Sequence, residues 1–478
     1  MRNGFTTEGT EESSDLLSAL SGKVVPLLFG EHLSETMTKL AINGGSPVRS
    51  TPFPVYSTLG EEEKRAVMGV LDSGNLSGFL GTWSPQFYGG PHVKKLEEEW
   101  QEYFNVAHAV TMNSATSALC AAVGAAGVGP GDEVIVSPIT MTASATAALA
   151  YGAIPVFADI DPETFNITAK TIEACVTPQT RAIVAVDILG HPAEMDEIMA
   201  LAEKHGLVVI EDAAQAPGAT YNGRFAGTLA NIGVFSLNYH KTIHTGEGGV
   251  AVTDDAVLAE RLQLIRNHAE AVVEGKGTAS LVNMVGFNYR MTEIEAAIGS
   301  AQLLKLDHLL TARIEAANYL SQRISAIPGL TPPVVRPGVK HGYYLFAIRY
   351  NADTVGISRE RFAEAVRAEG IPLATRYAPP LYYMPVYQKR IAFGNEGFPF
   401  TYEGYKGKVS YERGICPVAE RMWESDVVVG NFCHAAIATG DLDDVVTAFE
   451  KVVSESRTVV GQDAPAIDAS RMAEDNAA

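Results

Sequence analysis

The chain has 478 residues, 46% of them hydrophobic and 19% charged, a balance that suits a soluble globular enzyme and excludes a disordered or fibrous chain. Its formal net charge of −20 argues against a nucleic-acid partner, whose phosphates need clustered Lys and Arg. The length exceeds one typical core, and four scattered cysteines, Cys120, Cys175, Cys416 and Cys433, have neither metal-ligand nor redox spacing, as suits a reducing compartment and no metal.

Taken in order, residues 1–36 begin with a single Arg and then turn acidic and polar (TTEGTEESSD), the reverse of a secretory signal. They read as a disordered extension, or as sequence ahead of a true start at Met37, which opens MTKLAINGGSPVRS. The most apolar stretch, 134–160, is broken by Ser, Thr, Pro and Tyr. That does not suit a membrane span and points to a cytoplasmic protein without a membrane partner.

From 107 to 255 short apolar runs alternate with amphipathic ones. Strands are expected near 107–111, 133–137, 154–158, 182–187, 207–211, 232–236 and 249–253, with helices between them. In 194–205, for example, Met195, Ile198, Met199 and Ala202 repeat at helical spacing. Such alternation implies α/β architecture, with a mostly parallel seven-stranded sheet covered on both faces. One long helical segment is expected over 290–327, where Ile294, Ala297, Ile298, Ala301, Leu304 and Leu306 form an apolar face. Beyond Pro332 and Pro333, a strand at 343–350 and helices at 358–370 and 442–453 suggest a smaller α/β domain. The Tyr-, Pro- and Gly-rich stretch 376–415 is long for a plain connection, so it is expected to face a substrate. The expected division is a large domain over 37–310, a small C-terminal domain over 311–458, and a disordered tail over 459–478.

Chemistry concentrates in 208–255. Asp212 follows the apolar run LVVIE, and Lys241 follows a second apolar run with Phe235, Leu237 and Tyr239 around it. Glycines 246, 248 and 249 come next and allow close backbone approach. Taken singly, Asp212 is a helix N-cap and Lys241 an ordinary solvated lysine. Taken together, they suit pyridoxal phosphate: the lysine binds the cofactor covalently, and the acid keeps the pyridine nitrogen protonated. Desolvation would lower the lysine's pKa, as such a role requires. Gln215 lies three residues after the acid and is a candidate partner of the ring hydroxyl. NSATSAL (113–119) precedes a small-residue helix, so Ser114, Ala115 and Thr116 are candidate phosphate ligands, with Ser236 from the second strand end. In GFNYRMTEIEAA (286–297), Thr292 and Glu295 have capping-box spacing. In the same motif Asn288 is a candidate for a phosphate and Arg290 for a carboxylate.

These elements together resemble the DegT/DnrJ/StrS family of pyridoxal phosphate-dependent sugar aminotransferases, fold type I. The resemblance covers roughly 40–453. It rests on GGSPVR, GPGDEVIVSP (129–138), GAIPVFADIDPETFNI (152–167), IEDAAQAPGATYNGRFAG (210–227), FSLNYHKTIHTGEGGVAVTDD (235–255), RNHAE (266–270), GFNYRMTEIEAAIGSAQLLKLD (286–307) and CPVAER (416–421), in the family's order. It implies Lys241 as the cofactor-bearing lysine, Asp212 as the pyridine-nitrogen partner and Gln215 beside the ring hydroxyl. It further implies Ala115, Thr116 and Ser236 at the phosphate, and Asn288 donated across a homodimer to the neighbouring subunit's phosphate. Three positions depart from the family pattern. Met141 stands where an aromatic residue usually stacks on the cofactor. The family's H-L-Y-G segment reads DILG (187–190). His240, beside the lysine, reads either as an aid to proton transfer or as a structural histidine.

The implied reaction is a ping-pong transfer of an amino group from glutamine or glutamate to a keto sugar or ketocyclitol, in amino-sugar or antibiotic biosynthesis. His240, Arg290 and Tyr344 are the candidate substrate contacts. Family dehydratases carry histidine in place of the lysine, which Lys241 excludes; an aromatising dehydratase keeps the lysine and remains an alternative. A non-catalytic binding protein would have lost Lys241 or Asp212, and both are present. GGSPVR, YYLFAIRY, RYAPPLYYMPVYQKR and CPVAERMWE resemble the L-glutamine:scyllo-inosose branch. NSATSAL and SPIT are similar to members acting on UDP-linked 4-keto sugars, so both substrate classes stay open.

Overall fold

A computed structural model describes residues 39–459. The expectations for 1–36 and for the tail fall outside the described residues, apart from Val459 itself. Seven strands form the main sheet: β1 (His108–Met112), β2 (Glu133–Val136), β3 (Ile154–Phe157), β4 (Thr180–Val186), β5 (Val208–Asp212), β6 (Ile232–Ser236) and β7 (Gly249–Thr253). Each lies within two residues of its sequence expectation. Their order across the sheet is β1-β7-β6-β5-β4-β2-β3. β7 runs antiparallel to both of its neighbours, and the other pairings are parallel. The interior strands are apolar and buried along nearly their whole length, as a sheet covered on both faces demands.

The covering helices begin with Ala115–Ala125, which is almost entirely buried. Alanine suits it twice over: it has the best helix propensity, and it lets the helix lie close to the sheet and to helix Ala256–Arg266. Arg261 of that second helix donates to the carbonyls of Ala125 (2.8 Å) and Gly124 (3.2 Å), placing a cation at the first helix's C-terminal end.

The segment expected as one long helix is two, Glu293–Leu303 and Leu306–Ile324. No Gly or Pro marks the break. Contacts from a distant segment meet it instead: Lys305 Nζ donates to the Thr58 carbonyl at 3.0 Å and to Glu63 at 2.8 Å. The Thr292–Glu295 capping box starts the first helix as expected.

A second, three-stranded antiparallel sheet combines Leu330–Thr331, Phe346–Tyr350 and Val427–Gly430. Helices Arg359–Ala368 and Thr439–Ser454 cover it, and Phe346, Ile348, Phe362, Val366, Val428 and Phe449 form its core. Among the described residues no helix is long and apolar enough to cross a membrane.

The stretch 376–415 departs from expectation beyond its first residues. It packs along the edge strand β3, where the Tyr411 hydroxyl donates to the Pro155 carbonyl at 2.8 Å. Tyr405 donates to Glu133 at 2.6 Å, and the Leu381 N–H to the Pro138 carbonyl at 2.8 Å. Its aromatic rings, Tyr382, Tyr387 and Tyr411, surround Phe157. A composition that looked suited to a substrate loop mostly seals a sheet edge.

Candidate active site

Parallel strands end together at the site. Asp212 closes β5, in register with Val186 of β4 and Val234 of β6. It lies at the carboxyl edge where open α/β sheets hold ligands. Only 4% of Asp212 is exposed. The Ser144 hydroxyl donates to Oδ2 at 2.7 Å and the Ala214 N–H to Oδ1 at 3.2 Å. Burial raises its carboxyl above the ordinary value, while the Ser144 and Ala214 donors and the Lys241 charge pull the other way.

Lys241 stands in the turn after β6. Its N–H donates to the Asn238 carbonyl at 2.9 Å, and Thr245 N–H closes the turn on the Leu237 carbonyl at 2.9 Å. The residue is 8% exposed, and its Nζ lies 4.5 Å from the centre of the Tyr344 ring. Burial brings the amine down to about 8, against the opposing pull of Asp212. A lysine so tuned is substantially neutral near pH 8, the form that attacks a carbonyl and accepts a proton.

The helix start expected at a phosphate is shaped by one glycine. Ser114 caps helix Ala115–Ala125, its hydroxyl accepting the Ser117 N–H at 3.0 Å. The N–H groups of Ala115 and Thr116 have no acceptor within the helix, which makes the helix start an anion site. Ser236 ends β6 opposite Gly249 of β7. A Cβ on Gly249 would sit 2.5 Å from the Ala115 nitrogen. Glycine there brings Ser236 and the helix start together.

Gln215 is held at both ends of its amide. Its Oε1 accepts the Leu189 N–H at 2.7 Å, and its Nε2 donates to the Tyr377 hydroxyl at 2.8 Å. Tyr344 reaches Lys241 because its chain crosses Gly190, whose φ is +92°. A Cβ on Gly190 would lie 2.8 Å from the Tyr343 nitrogen and 2.9 Å from that of Tyr344. Met141 is 60% exposed, in the loop that leads to Ser144. His240 is exposed on the whole, yet its lost hydration and the neighbouring Lys241 charge hold it down to about 4, so it is neutral at physiological pH. Its ring lies 6.2 Å from that of Tyr344.

Two expected residues lie apart from the lysine and the acid. Asn288 is exposed, its carbonyl accepting from Asn113 Nδ2 at 3.3 Å and its Oδ1 from Arg290 Nε at 2.8 Å. Arg290 also donates to Asn267 Oδ1 at 3.4 Å. Ser144 and Tyr377 were not singled out from the sequence. Ser144 sits in an alanine-rich run without any signal, whereas Tyr377 belongs to the tyrosine-rich stretch already expected near the substrate.

Residues 59–412 match the model of the DegT/DnrJ/EryC1/StrS aminotransferase family. The chain belongs to that family. This aminotransferase is 34% identical over 431 residues to the L-glutamine:2-deoxy-scyllo-inosose aminotransferase of Streptoalloteichus tenebrarius, covering 87% of the chain and 97% of that relative. It is 38% identical over 299 residues to the GDP-perosamine synthase of Caulobacter vibrioides, covering 62% of the chain and 79% of the relative. Among solved structures it resembles DesI determined in the presence of its TDP-sugar product, with a TM-score of 0.73 and 27% identity over 88% of this chain and 98% of that one. The aminotransferase thus has the fold type I architecture expected from its sequence, with lysine and acid at the strand ends.

Proposed function

We propose that the aminotransferase binds pyridoxal phosphate at the β5 and β6 strand ends and transfers an amino group from glutamine or glutamate to a keto sugar or ketocyclitol. The observation that carries this reading is Lys241, a buried lysine tuned to about 8 and lodged against Tyr344 within the field of Asp212. The residues present fit the cofactor. The helix start bared by Gly249, with Ser236 beside it, offers a phosphate cradle; Asp212, braced by Ser144, is a partner for a protonated ring nitrogen; Gln215 flanks the ring hydroxyl. When bound, the cofactor supplies an electron sink that acidifies the hydrogen on the amine-bearing carbon. As a neutral amine, Lys241 Nζ would take that proton and hand it to the carbon that is reprotonated in the same half-reaction. Asp212 keeps the ring nitrogen charged throughout, and the Ala115 and Thr116 amides hold the phosphate still. Met141 would be the residue to cover the ring in place of an aromatic side chain. His240 and Tyr344, beside Lys241, line the substrate side.

The large part of the chain, 37–310, carries these groups, and 311–458 supplies Tyr344 and Tyr377. Asn288, exposed at the surface, serves the phosphate of a second subunit in a cytoplasmic homodimer. The relatives named for 2-deoxy-scyllo-inosose and for GDP-perosamine support the two acceptor classes. The deciding experiment offers a panel of nucleotide-linked keto sugars and ketocyclitols with glutamine and glutamate as donors. Aminated product of the expected mass supports the reading, and loss of water without amination turns it toward the dehydratase. A Lys241→Ala variant should lose about a thousandfold in turnover, on the scale of a removed acid–base group. A colourless protein in which borohydride fixes no cofactor on Lys241 overturns the cofactor assignment.

A further inference from the structure

Directly behind Asp212 lie two acidic residues that no step above uses. Asp187 follows β4, and Glu211 is the penultimate residue of β5; neither has any exposed surface. Each has one carboxylate oxygen satisfied. Asp187 Oδ1 accepts the Ala193 N–H at 2.9 Å, and Glu211 Oε2 accepts the Leu229 N–H at 2.8 Å. The other two oxygens, Asp187 Oδ2 and Glu211 Oε1, are buried without a donor. Glu211 is the register partner of Ala185 on the adjacent parallel strand, and Asp187 stands two residues beyond Ala185, so the two acids share one face of neighbouring strands. A buried oxygen with no donor is costly, and two facing anionic ones are more so. One proton between them relieves both.

We propose that Asp187 and Glu211 share a single proton and that the resulting carboxyl pair is a positioning element holding the strand ends closed beneath Asp212. The backbone ties make this a support of the site. Asp187 N–H donates to the Asp212 carbonyl at 3.1 Å, and the Asp187 carbonyl accepts the Gly190 N–H at 3.2 Å, closing the turn Ile188–Gly190. That turn presents Leu189 N–H to Gln215. The pair therefore underlies both the acid and the amide assigned to the cofactor ring, and this half of the inference rests on the proposed function.

The proton belongs chiefly to Asp187. Burial and the neighbouring charges of Glu211 and Asp212 push its carboxyl well above the ordinary range. Glu211 is pushed up only to about 7, because the N–H groups of Gly227, Leu229 and Ala230 favour its anion. The charged groups facing the pair are Asp212 and, beyond it, Lys241. A proton on the pair removes one negative charge from beside Asp212, which favours its anion together with the Ser144 and Ala214 donors and the Lys241 charge.

The test compares the wild type with Asp187→Asn, whose amide keeps the hydrogen bond to Glu211 and carries no titrating proton. A folded-state carboxyl raised above its unfolded value of about 4 stabilises the fold at low pH and loses that contribution as pH rises. In cofactor-free protein above about pH 7, where Glu211 is ionised in the folded state, the wild-type unfolding constant should climb with pH about tenfold per unit more steeply than that of Asp187→Asn, the slope of one proton. Equal slopes overturn the shared proton. Glu211→Gln should flatten the slope likewise, and an unchanged slope there counts equally against the pair.

For the positioning role, Asp187→Asn should bind pyridoxal phosphate as the wild type does. Asp187→Leu, which strands Glu211, should bind it roughly tenfold more weakly and shift the pH midpoint of its bound absorbance. Wild-type affinity and midpoint in Asp187→Leu overturn that role. Should Asp187→Leu fail to fold, Glu211→Leu replaces it with the same expectations. If the wild type itself binds no cofactor, the function fails while the unfolding slopes still decide the proton.

Discussion

Lys241 is the residue whose chemistry can be read most directly. With its amine near 8 instead of the ordinary 10.5, borohydride-trapped reaction with a small aldehyde in cofactor-free protein should rise with a midpoint near pH 8. A midpoint above 10 would mean the amine is hydrated and the pocket open. The unfolded chain binds more protons than the folded one between those two values, so stability rises with pH across that window. Lys241→Met should accordingly stabilise the cofactor-free protein at neutral pH, on the order of 3 kcal/mol for a shift of this size, as urea unfolding would register. Ser144→Ala removes the hydroxyl that braces Asp212 and should weaken cofactor binding about tenfold, the scale of a hydrogen bond to a charged group. Titration of the bound absorbance measures it. Asp212 and Lys241 were legible in the sequence because acid and lysine each follow an apolar run. Ser144 was not, because a serine among alanines has the same local pattern whether or not it meets an acid 68 positions away.

At the scale of elements, the meeting of β7 with helix Ala115–Ala125 depends on the missing side chain at Gly249. Gly249→Ala forces a Cβ against backbone atoms of Ser114 and Ala115 and should cost about 1–3 kcal/mol as overpacking does. It should also abolish phosphate retention, read as the loss of competition between inorganic phosphate and the cofactor. The opposite expectation applies to the segment along β3. Tyr411→Phe loses one buried hydrogen bond, about 1 kcal/mol in thermal unfolding, and leaves turnover unchanged; a large fall in kcat would return 376–415 to the substrate. The strands were legible to within two residues because a buried parallel sheet writes continuous apolar runs. The break at Leu304 and Lys305 was not, since it is met by Thr58 and Glu63, 247 and 242 positions away from Lys305. Tyrosine-rich composition likewise could not say which surface its rings would cover.

For the whole molecule, the proposed homodimer makes a quantitative expectation. Asn288 touches Asn113 of its own chain, so shared sites need a direct test. Mixing inactive Lys241→Ala and Asn288→Ala proteins under exchange should restore about a quarter of wild-type activity if each site draws on both subunits, because half the dimers then carry one intact site. No recovery, with exchange verified by mass, would confine Asn288 to its own chain. The acid and the lysine also differ in how the molecule holds them. Asp212 is bonded into the sheet between two strands, whereas Lys241 hangs from a turn outside it. One behaves as a fixed post and the other as a swinging arm. Changes within 238–245 should therefore alter how fast the arm travels, while changes in β5 should decide whether there is anything for it to swing against.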